Sequence, residues 1–364
     1  MDNLPPKLNL TPKHPEMDWH ASGETGVVYE DRTDNWSPYL PISERQNFPE
    51  TFSCVTFATQ NPCEAQIKYL YLQGQIPEEG VTYMKEEGII DDSGNVNLSD
   101  IFIAIISGTT KEGNHGYAVA EAIRKEGNIA DKVLPFEGRT WEEVMDTKRI
   151  TPAMKEKAKE FWKKSCLRFN WEWVYIKGDK ADVREVVKKH VKQAPLVFFT
   201  PVCPGWNKGN VKTCPLDDPQ HATCCYRYKS DSNPYCIEDT YSPFKKTLAE
   251  DYPVLYVLKP YVSVAPKEEP VTKPKFNWQY LLDNGFVLKE GMRGEEVKAL
   301  QNVLIHEGLL NKQLNTGYFG QYTKNAVKAF QQKHYEKILL AVGLVYPTGI
   351  VAKSTLKYLV ENYS

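Results

Sequence analysis

The sequence predicts an α+β fold in which a helical half precedes antiparallel strands, followed by a small all-α domain. The stretch that begins at Cys54 has an apolar face and helical content, whereas β-branched and aromatic residues dominate several later runs. From about 286 to 359, apolar residues recur at helical spacing. The predicted strands lie around 196–200, 221–228, 235–240 and 254–258, and a helix-like run over 183–191 precedes them.

Composition and length limit the classes of protein to consider. A chain of 364 residues suits two to three domains. The net charge of −2 and the mixed Lys and Glu surface argue against a nucleic-acid partner, which would need a clustered basic face. No run approaches the roughly 20 apolar residues of a membrane span. The segment Met1–Pro5 lacks a basic then apolar signal peptide.

Cys54, His221 and Asp239 are the side-chain types of a nucleophilic cysteine site. Thr51 and Ser53 are N-cap residue types, so Cys54 is predicted to open a helix, where a thiol beside an imidazolium ionises more readily. His221 begins one predicted strand and Asp239 lies on the returning strand. The hairpin therefore brings a carboxylate toward the imidazole, which it can orient.

From the nucleophile onward, the chain resembles the papain-like cysteine peptidases over roughly residues 35–256. Ser53-Cys54-Val55-Thr56-Phe57-Ala58 is similar to the family's nucleophile motif, with Val55 replacing its usual Trp. The resemblance implies a two-lobed fold with a helical left lobe, an antiparallel β right lobe and an active cleft between them. It also implies hydrolysis of peptide bonds by a cysteine endopeptidase that needs no cofactor.

The histidine and carboxylate motifs carry the same resemblance. His221-Ala222 is similar to the His-Ala that opens the family's histidine strand, although Pro219-Gln220 replaces the usual glycines. Glu238-Asp239-Thr240-Tyr241 is similar to its Lys-Asn-Ser-Trp, with Asp for Asn and Tyr for Trp. The order along the chain is that of the family.

The remaining site residues follow from the resemblance. The segment Gly113-Asn114-His115-Gly116-Tyr117 is similar to the glycine-rich wall that binds the substrate backbone, which implies that role for Asn114, His115, Gly116 and Tyr117. Leu134-Pro135-Phe136 is similar to the Tyr-Pro-Tyr that follows it. The family also places a glutamine before the nucleophile to donate to the oxyanion. Gln46 is the candidate here, with Asn47 as its alternative.

Each candidate also has a purely structural interpretation. A free cysteine is more often a small buried hydrophobic residue than a nucleophile. His221 alone would suit a structural histidine in a strand whose hydrogen bonds are all made. The ordered partners favour catalysis, and the other histidines compete poorly: His190 lies in a lysine-rich helical run and His115 in the glycine loop. An inactive peptidase remains an alternative because of the altered Val55, Pro219 and Tyr241.

The C-terminal region resembles a peptidoglycan-binding domain of the three-helix type. The residues that carry this resemblance are Gly291-Met292-Arg293-Gly294-Glu295-Glu296-Val297-Lys298-Ala299-Leu300-Gln301, Gly317-Tyr318-Phe319-Gly320 with Thr323, Ala326-Val327 with Phe330-Gln331, and Thr348-Gly349-Ile350-Val351. The resemblance implies ligand contacts near the glycine turns from Tyr318, Gly320, Gln321 and Tyr322. Leu300, Phe319 and Phe330 are predicted to be core residues of the bundle.

Proline and cysteine positions complete the organisation. Residues 1–34 are predicted to form an irregular arm, 35–260 the peptidase domain, 261–277 a Pro, Lys and Glu linker and 278–364 the peptidoglycan-binding domain. Cys203 and Cys214 flank a loop that a disulfide could close. A structural zinc is the competing idea, but the cysteines lack Cys-x-x-Cys knuckles, so no metal is predicted.

The sequence therefore predicts a cysteine peptidase attached to the bacterial cell wall. The partners are peptidoglycan and a peptide or protein substrate, and the expected location is extracellular or wall-associated. A wall-binding chain without a signal peptide favours a phage lytic enzyme or a virion-associated enzyme that contacts other virion proteins. Three classes stay open: a peptidoglycan-peptide hydrolase, a wall-tethered protein endopeptidase and a catalytically silent virion component.

Overall fold

A computed structural model describes residues 10, 29–42, 49–265, 274–311 and 314–363. The chain divides into two compact units, Met1–Ala265 and Pro266–Ser364. Gln46 and Asn47, the two candidates for the oxyanion amide, lie outside the described residues. Among the residues that are described, no helix is long and apolar enough to cross a membrane.

The first half of unit 1 is helical, as predicted. Its central helix, α1, begins at Cys54 and is almost wholly buried over its first fourteen positions. Caps fix several of the other helices: the hydroxyl of Ser99 accepts from the N–H of Phe102, and that of Thr151 accepts from the N–H of Met154. The helices are α1 Cys54–Leu72, α2 Glu78–Glu86, α3 Asp100–Ile106, α4 Gly116–Glu126, α5 Trp141–Val144, α6 Pro152–Lys164 and α7 Val183–His190.

A seven-stranded sheet forms the second half of unit 1. The strands are β1 Leu167–Ile176, β2 Leu196–Thr200, β3 Asn210–Val211, β4 His221–Tyr228, β5 Tyr235–Glu238, β6 Lys245–Leu248 and β7 Tyr256–Val264, in the order β1-β7-β2-β4-β5-β6-β3. All neighbours are antiparallel except the short β3–β6 pair. The predicted α+β class, with a helical part and an antiparallel β part, is confirmed.

The sheet is larger than the sequence pattern predicts. The four predicted strands are present, but β1, β3 and β6 are additional. β7 also extends to Val264, so the first four residues of the predicted linker belong to the sheet. β3 and β6 are two and four residues long, too short to give a clear periodic signal.

Both faces of the sheet are buried. Successive side chains of a strand point to opposite faces, so Phe199 packs in the cluster that contains Cys54, whereas Phe198 packs in the cluster that contains Val187 of α7. All five residues of β2 are buried. Because β4 is paired to β2 with His221 opposite Thr200, the histidine is fixed at one end of this interior ladder.

Unit 2 is all-α, as predicted. Its helices are α8 Trp278–Asp283, α9 Glu295–His306, α10 Gln321–Lys333, α11 Tyr335–Ile338 and α12 Lys353–Tyr363. The three longest, α9, α10 and α12, are the helices of the predicted bundle. Leu300, Phe319 and Phe330 are fully buried in its single apolar cluster.

Two buried glutamines of unit 2 make the same set of hydrogen bonds. Gln301 accepts from the N–H of Gly317 and donates to the carbonyl of Tyr318 and the hydroxyl of Thr323. Gln331 does the same with the N–H of Gly349, the carbonyl of Ile350 and the hydroxyl of Thr355. The glycine turns that precede Thr323 and Thr355 are therefore held by one repeated motif.

Candidate active site

Cys54 is placed at the first position of α1, next to a backbone bend. Phe52 has a φ of 56°, a conformation that is unusual for a residue with a side chain, and its N–H donates to the carboxylate of Glu50 at 2.7 Å. Ser53 is the N-cap residue, as predicted, but its hydroxyl pairs with that of Thr51 and caps no helix N–H. The first backbone N–H groups of α1 are therefore not bonded by this hydroxyl.

His221 and Asp239 meet across the hairpin formed by β4 and β5. Nε2 of His221 lies 2.8 Å from Oδ1 of Asp239. This contact commits Nε2 to the carboxylate and leaves Nδ1 for the thiol. Nδ1 has no hydrogen bond of ordinary geometry to any described residue, yet Cys54 is close enough to interact with the imidazole through charge. The exposed fractions of Cys54, His221 and Asp239 are 1%, 1% and 3%, so these charges interact in a water-poor environment.

Two further side chains hold the second oxygen of Asp239. Oδ2 accepts from Nε1 of Trp206 at 2.6 Å and from Nζ of Lys246 at 2.8 Å. Trp206 lies in a short 3₁₀ helix, Trp206–Lys208, inside the loop that the disulfide between Cys203 and Cys214 closes. Both oxygens of the carboxylate are therefore occupied by donors.

The charges of this cluster shift the pKa values of His221 and Asp239 in opposite directions. Burial lowers the pKa of His221, but the negative charges of Asp239 and Cys54 outweigh it and raise that pKa to about 10. Burial raises the pKa of Asp239, but His221 and Lys246 outweigh it and hold that pKa below its ordinary value. The geometry thus stabilises an imidazolium beside a carboxylate.

Two aromatic rings enclose the imidazole. The ring of Trp206 meets that of His221 at 84° with centroids 5.4 Å apart, and the ring of Tyr241 meets it at 72° and 5.6 Å. The hydroxyl of Tyr241 donates to Glu50, the residue that holds the bend before Cys54. The nucleophile loop and the histidine hairpin are connected by this contact.

In the segment predicted to bind substrate, the side chain of Asn114 is already hydrogen-bonded within its own loop. The amide of Asn114 donates to Ser107 and Thr109, and its carbonyl accepts from the N–H of His115, so it braces the loop. His115 precedes α4 and Gly116 opens it. Tyr117 is 39% exposed.

Gly116 places this loop against β2, the strand that pairs with the histidine strand β4. A Cβ at Gly116 would come within 2.7 Å of the ring of Phe199, and Phe199 pairs with Ala222, the residue after His221. The sequence-predicted segment therefore lies against the strand beside His221. Leu10 contacts the residues just before β4, because its N–H donates to the carbonyl of Pro219 at 3.0 Å.

The other free thiols in the described part of the chain are buried or half-buried. Cys63, Cys224, Cys225 and Cys236 are buried and Cys166 is half-buried. Burial raises the pKa of Cys63, Cys224 and Cys225. Over the described ranges, no group of three His, Cys, Asp or Glu side chains is arranged to hold a metal ion.

The residues predicted to contact peptidoglycan surround one glycine turn in unit 2. Tyr318 and Tyr322 are 38% and 71% exposed, Gly320 precedes α10, and the amide of Gln321 bonds to Asn325. The guanidinium of Arg293 lies 4.2 Å from the centroid of the Tyr318 ring. Tyr318, Gln321 and Tyr322 are therefore exposed, and Gly320 is half-buried.

Comparison with protein families addresses unit 2 directly. Residues 293–359 match the family described as "Putative peptidoglycan binding domain". The matched range contains α9 to α11, most of α12 and both glutamine motifs. The resemblance of the C-terminal region to this family is thereby confirmed. No curated protein matches the chain.

Solved structures similar to the chain are cysteine proteases. Bromelain from Ananas comosus in complex with the E64 inhibitor has 13% identity and a TM-score of 0.42, with 62% of this chain and 97% of that chain covered. The proform of the ragweed pollen allergen Amb a 11 has 13% identity and a TM-score of 0.45, covering 71% and 76%. Digestive procathepsin L 3 of Tenebrio molitor larval midgut has 13% and 0.44, with the same coverage.

Sequence reasoning missed the roles of Trp206 and Lys246. A signal for Lys246 does exist: it shares a strand face with Leu248, so a charged residue occupies an apolar position of the alternating pattern. Trp206 gives no such signal, because its contact with Asp239 spans 33 residues and depends on the loop conformation.

Proposed function

We propose that unit 1 is a cysteine endopeptidase whose nucleophile is Cys54. The contact of 2.8 Å between Nε2 of His221 and Oδ1 of Asp239, beside a thiol at a helix start, carries the proposal. In this mechanism the Cys54 thiolate attacks the amide carbonyl, and the imidazolium of His221 protonates the leaving amine. Water then hydrolyses the thioester with His221 as the general base.

The oxyanion that forms during the attack is stabilised by donors at the start of α1. The backbone N–H of Cys54 is the donor that the helix supplies, and Gln46 is the proposed second donor. Asp239 orients the imidazole and stabilises its charge without transferring a proton.

Unit 2 gives the enzyme its location. The family match over residues 293–359 supports binding to peptidoglycan, and the surface of Tyr318, Gly320, Gln321 and Tyr322 is the proposed contact. A wall-bound unit raises the effective concentration of the peptidase at the sacculus, so peptides of the wall are the proposed substrate. Use in phage lysis or on a virion stays a prediction.

Purified sacculi and an unstructured protein test the activity together. The intact chain and Cys54→Ala are incubated with each, and new amino termini are followed by mass spectrometry. We expect cuts in sacculi that depend on Cys54, with equal sedimentation of both proteins. Cuts in the unstructured protein but not in the sacculi would instead indicate a wall-tethered protein endopeptidase. Hydrolysis retained by Cys54→Ala would refute the proposed nucleophile. If neither the intact chain nor Cys54→Ala hydrolyses a substrate, a catalytically silent virion component would be favoured.

A further inference from the structure

The most unusual charged group near the site is the ammonium of Lys246. Its side chain is 0% exposed, and its three contacts are Oδ2 of Asp239 at 2.8 Å and the carbonyls of Tyr241 and Pro243. Only the first of these partners is charged. A buried ammonium costs several kcal/mol in desolvation, so it persists where an opposite charge compensates it.

We propose that Lys246 is a positioning residue that balances the charge of Asp239 and thereby sets the pH range in which the Cys54–His221 pair reacts. This inference rests on the proposed function. Among Cys54, Asp239, His221 and Lys246, the reactive state has two negative groups, the Cys54 thiolate and Asp239, and two positive groups, His221 and Lys246. Without Lys246, the remaining three groups would carry a net negative charge.

The geometry separates the two cations on one carboxylate. His221 uses Oδ1 and Lys246 uses Oδ2. Lys246 therefore does not displace the imidazole from its acceptor, but its positive charge repels the positive charge that His221 carries when it is protonated. It also fixes the carboxylate, because its other two bonds attach it to the backbone of the turn after β5.

Other groups near the cluster are a tryptophan, a tyrosine and two carboxylates, and each carboxylate bonds to a neutral side chain. Trp206 places its ring 5.6 Å from the ammonium and donates to the same oxygen. The hydroxyl of Tyr252 donates to the carbonyl of Pro201, and burial raises its pKa, so it stays neutral. Glu238 has its carboxylate near the amide of Asn61, 3.5 Å away, and Glu50 pairs with Tyr241.

Removing either charge shifts the titration of the site in a predictable direction. Loss of a positive charge favours protonation of its neighbours, so Lys246→Met moves both limbs of the activity profile to higher pH. Loss of the negative charge in Asp239→Asn moves both limbs to lower pH. We expect shifts of about 1 pH unit in each direction. The double variant Asp239→Asn/Lys246→Met restores the charge balance, so its limbs return close to those of the wild type.

The reactivity of Cys54 provides a readout that does not require a peptide substrate. The rate of modification of Cys54 by iodoacetamide is measured between pH 4 and 11 by peptide mapping, in the full chain. Lys246→Gln, which keeps donor groups but removes the charge, is the second variant and should shift the profile as Lys246→Met does. Lys259→Met is the matched control, because Lys259 is also fully buried and paired to a carboxylate, that of Glu172, on β1.

The inference would be supported if the pH profile of Cys54 modification shifts in opposite directions in the Lys246 and Asp239 variants and returns to that of the wild type in the double variant. A folded Lys246→Gln with an unchanged profile, or a double variant whose shifts fail to cancel, would overturn it and assign Lys246 to bracing the turn. The proposed function fails separately, through hydrolysis that persists in Cys54→Ala.

Discussion

Nε1 of Trp206 donates to Oδ2 of Asp239 across 2.6 Å, and the tryptophan that makes this bond sits in a loop closed by a disulfide. The same indole meets the ring of His221 edge-on. The orientation of the proposed catalytic carboxylate thus depends on a loop that contributes no reacting atom.

Trp206→Phe should lower kcat/KM about tenfold, because it removes a hydrogen bond to a charged acceptor worth about 1.5–3 kcal/mol while keeping most of the apolar volume. Steady-state kinetics on a cleaved peptide measure the effect. Trp278→Phe in unit 2 serves as the control, since Trp278 is equally buried but belongs to the separate unit. An unchanged kcat/KM in Trp206→Phe would mean that the bond from Lys246 is sufficient to hold Oδ2 of Asp239.

The Cys203–Cys214 disulfide should act through Trp206. The double variant Cys203→Ser/Cys214→Ser is expected to lose about 2–3 kcal/mol of unfolding free energy, the range for a short closed loop, and to lose activity as Trp206→Phe does. Adding Trp206→Phe to it should then cause little further loss. Cys166→Ser, at a half-buried free thiol, is the control. Fully additive losses of activity would contradict the coupling.

Activity should extend to alkaline pH. His221 has a pKa raised to about 10, so the imidazolium that protonates the leaving amine is lost only as pH rises through that value. For stability the sign is the same: the contribution of the pair is fully present below the unfolded pKa of about 6.5 and is lost as pH rises through about 10. Profiles of kcat/KM from pH 5 to 11 check this, with activity remeasured at pH 7 after each exposure. An alkaline limb near 6.5 would contradict it.

The paired glutamines of unit 2 should stabilise their turns by similar amounts. Gln301→Leu leaves the half-buried N–H of Gly317 and a carbonyl without their partner, and Gln331→Leu does the same to the buried N–H of Gly349, at a cost of about 1–3 kcal/mol each. Hydrogen exchange of the 317–323 and 349–355 segments in the full chain would show the local loss. Gln332→Leu, at an exposed neighbour, should change little. Equal exchange in Gln331→Leu and Gln332→Leu would refute the role.

Tyr322 should contribute to wall binding. It is 71% exposed beside the Tyr318 turn, and truncation of an aromatic contact commonly weakens binding by about 1–2 kcal/mol, or roughly five- to thirtyfold. Cosedimentation with purified sacculi measures the affinity of Tyr322→Ala. Tyr346→Ala is the matched control, because Tyr346 is 80% exposed but lies outside that turn. Equal loss in both variants would place the ligand elsewhere.

Local pattern was sufficient to predict the position of Cys54 at a helix start, the strand that begins at His221 and two helices of unit 2, α9 and α10. It could not predict the environment of Asp239, because Trp206 and Lys246 approach it from a loop and from a four-residue strand. Propensity describes residues that are neighbours in sequence, whereas these contacts are set by the folded sheet. The roles of Asn114 and Gln46 rest on family resemblance, and the structure gives Asn114 a bracing function within its own loop.

The hairpin that carries His221 and Asp239 contains one extra residue. Cys225 lies opposite Ile237, but Arg227 lies opposite Cys236, so Tyr226 is unmatched, and its carbonyl accepts from the N–H of Trp36 instead. Because side chains alternate along a strand, this one residue sets the phase of His221 relative to Asp239. Changes of length in the turn over 229–234 can be absorbed where they occur. If the pairs on the turn side of Tyr226 keep their register, deleting Tyr226 would turn the imidazole and the carboxylate to opposite faces of the sheet.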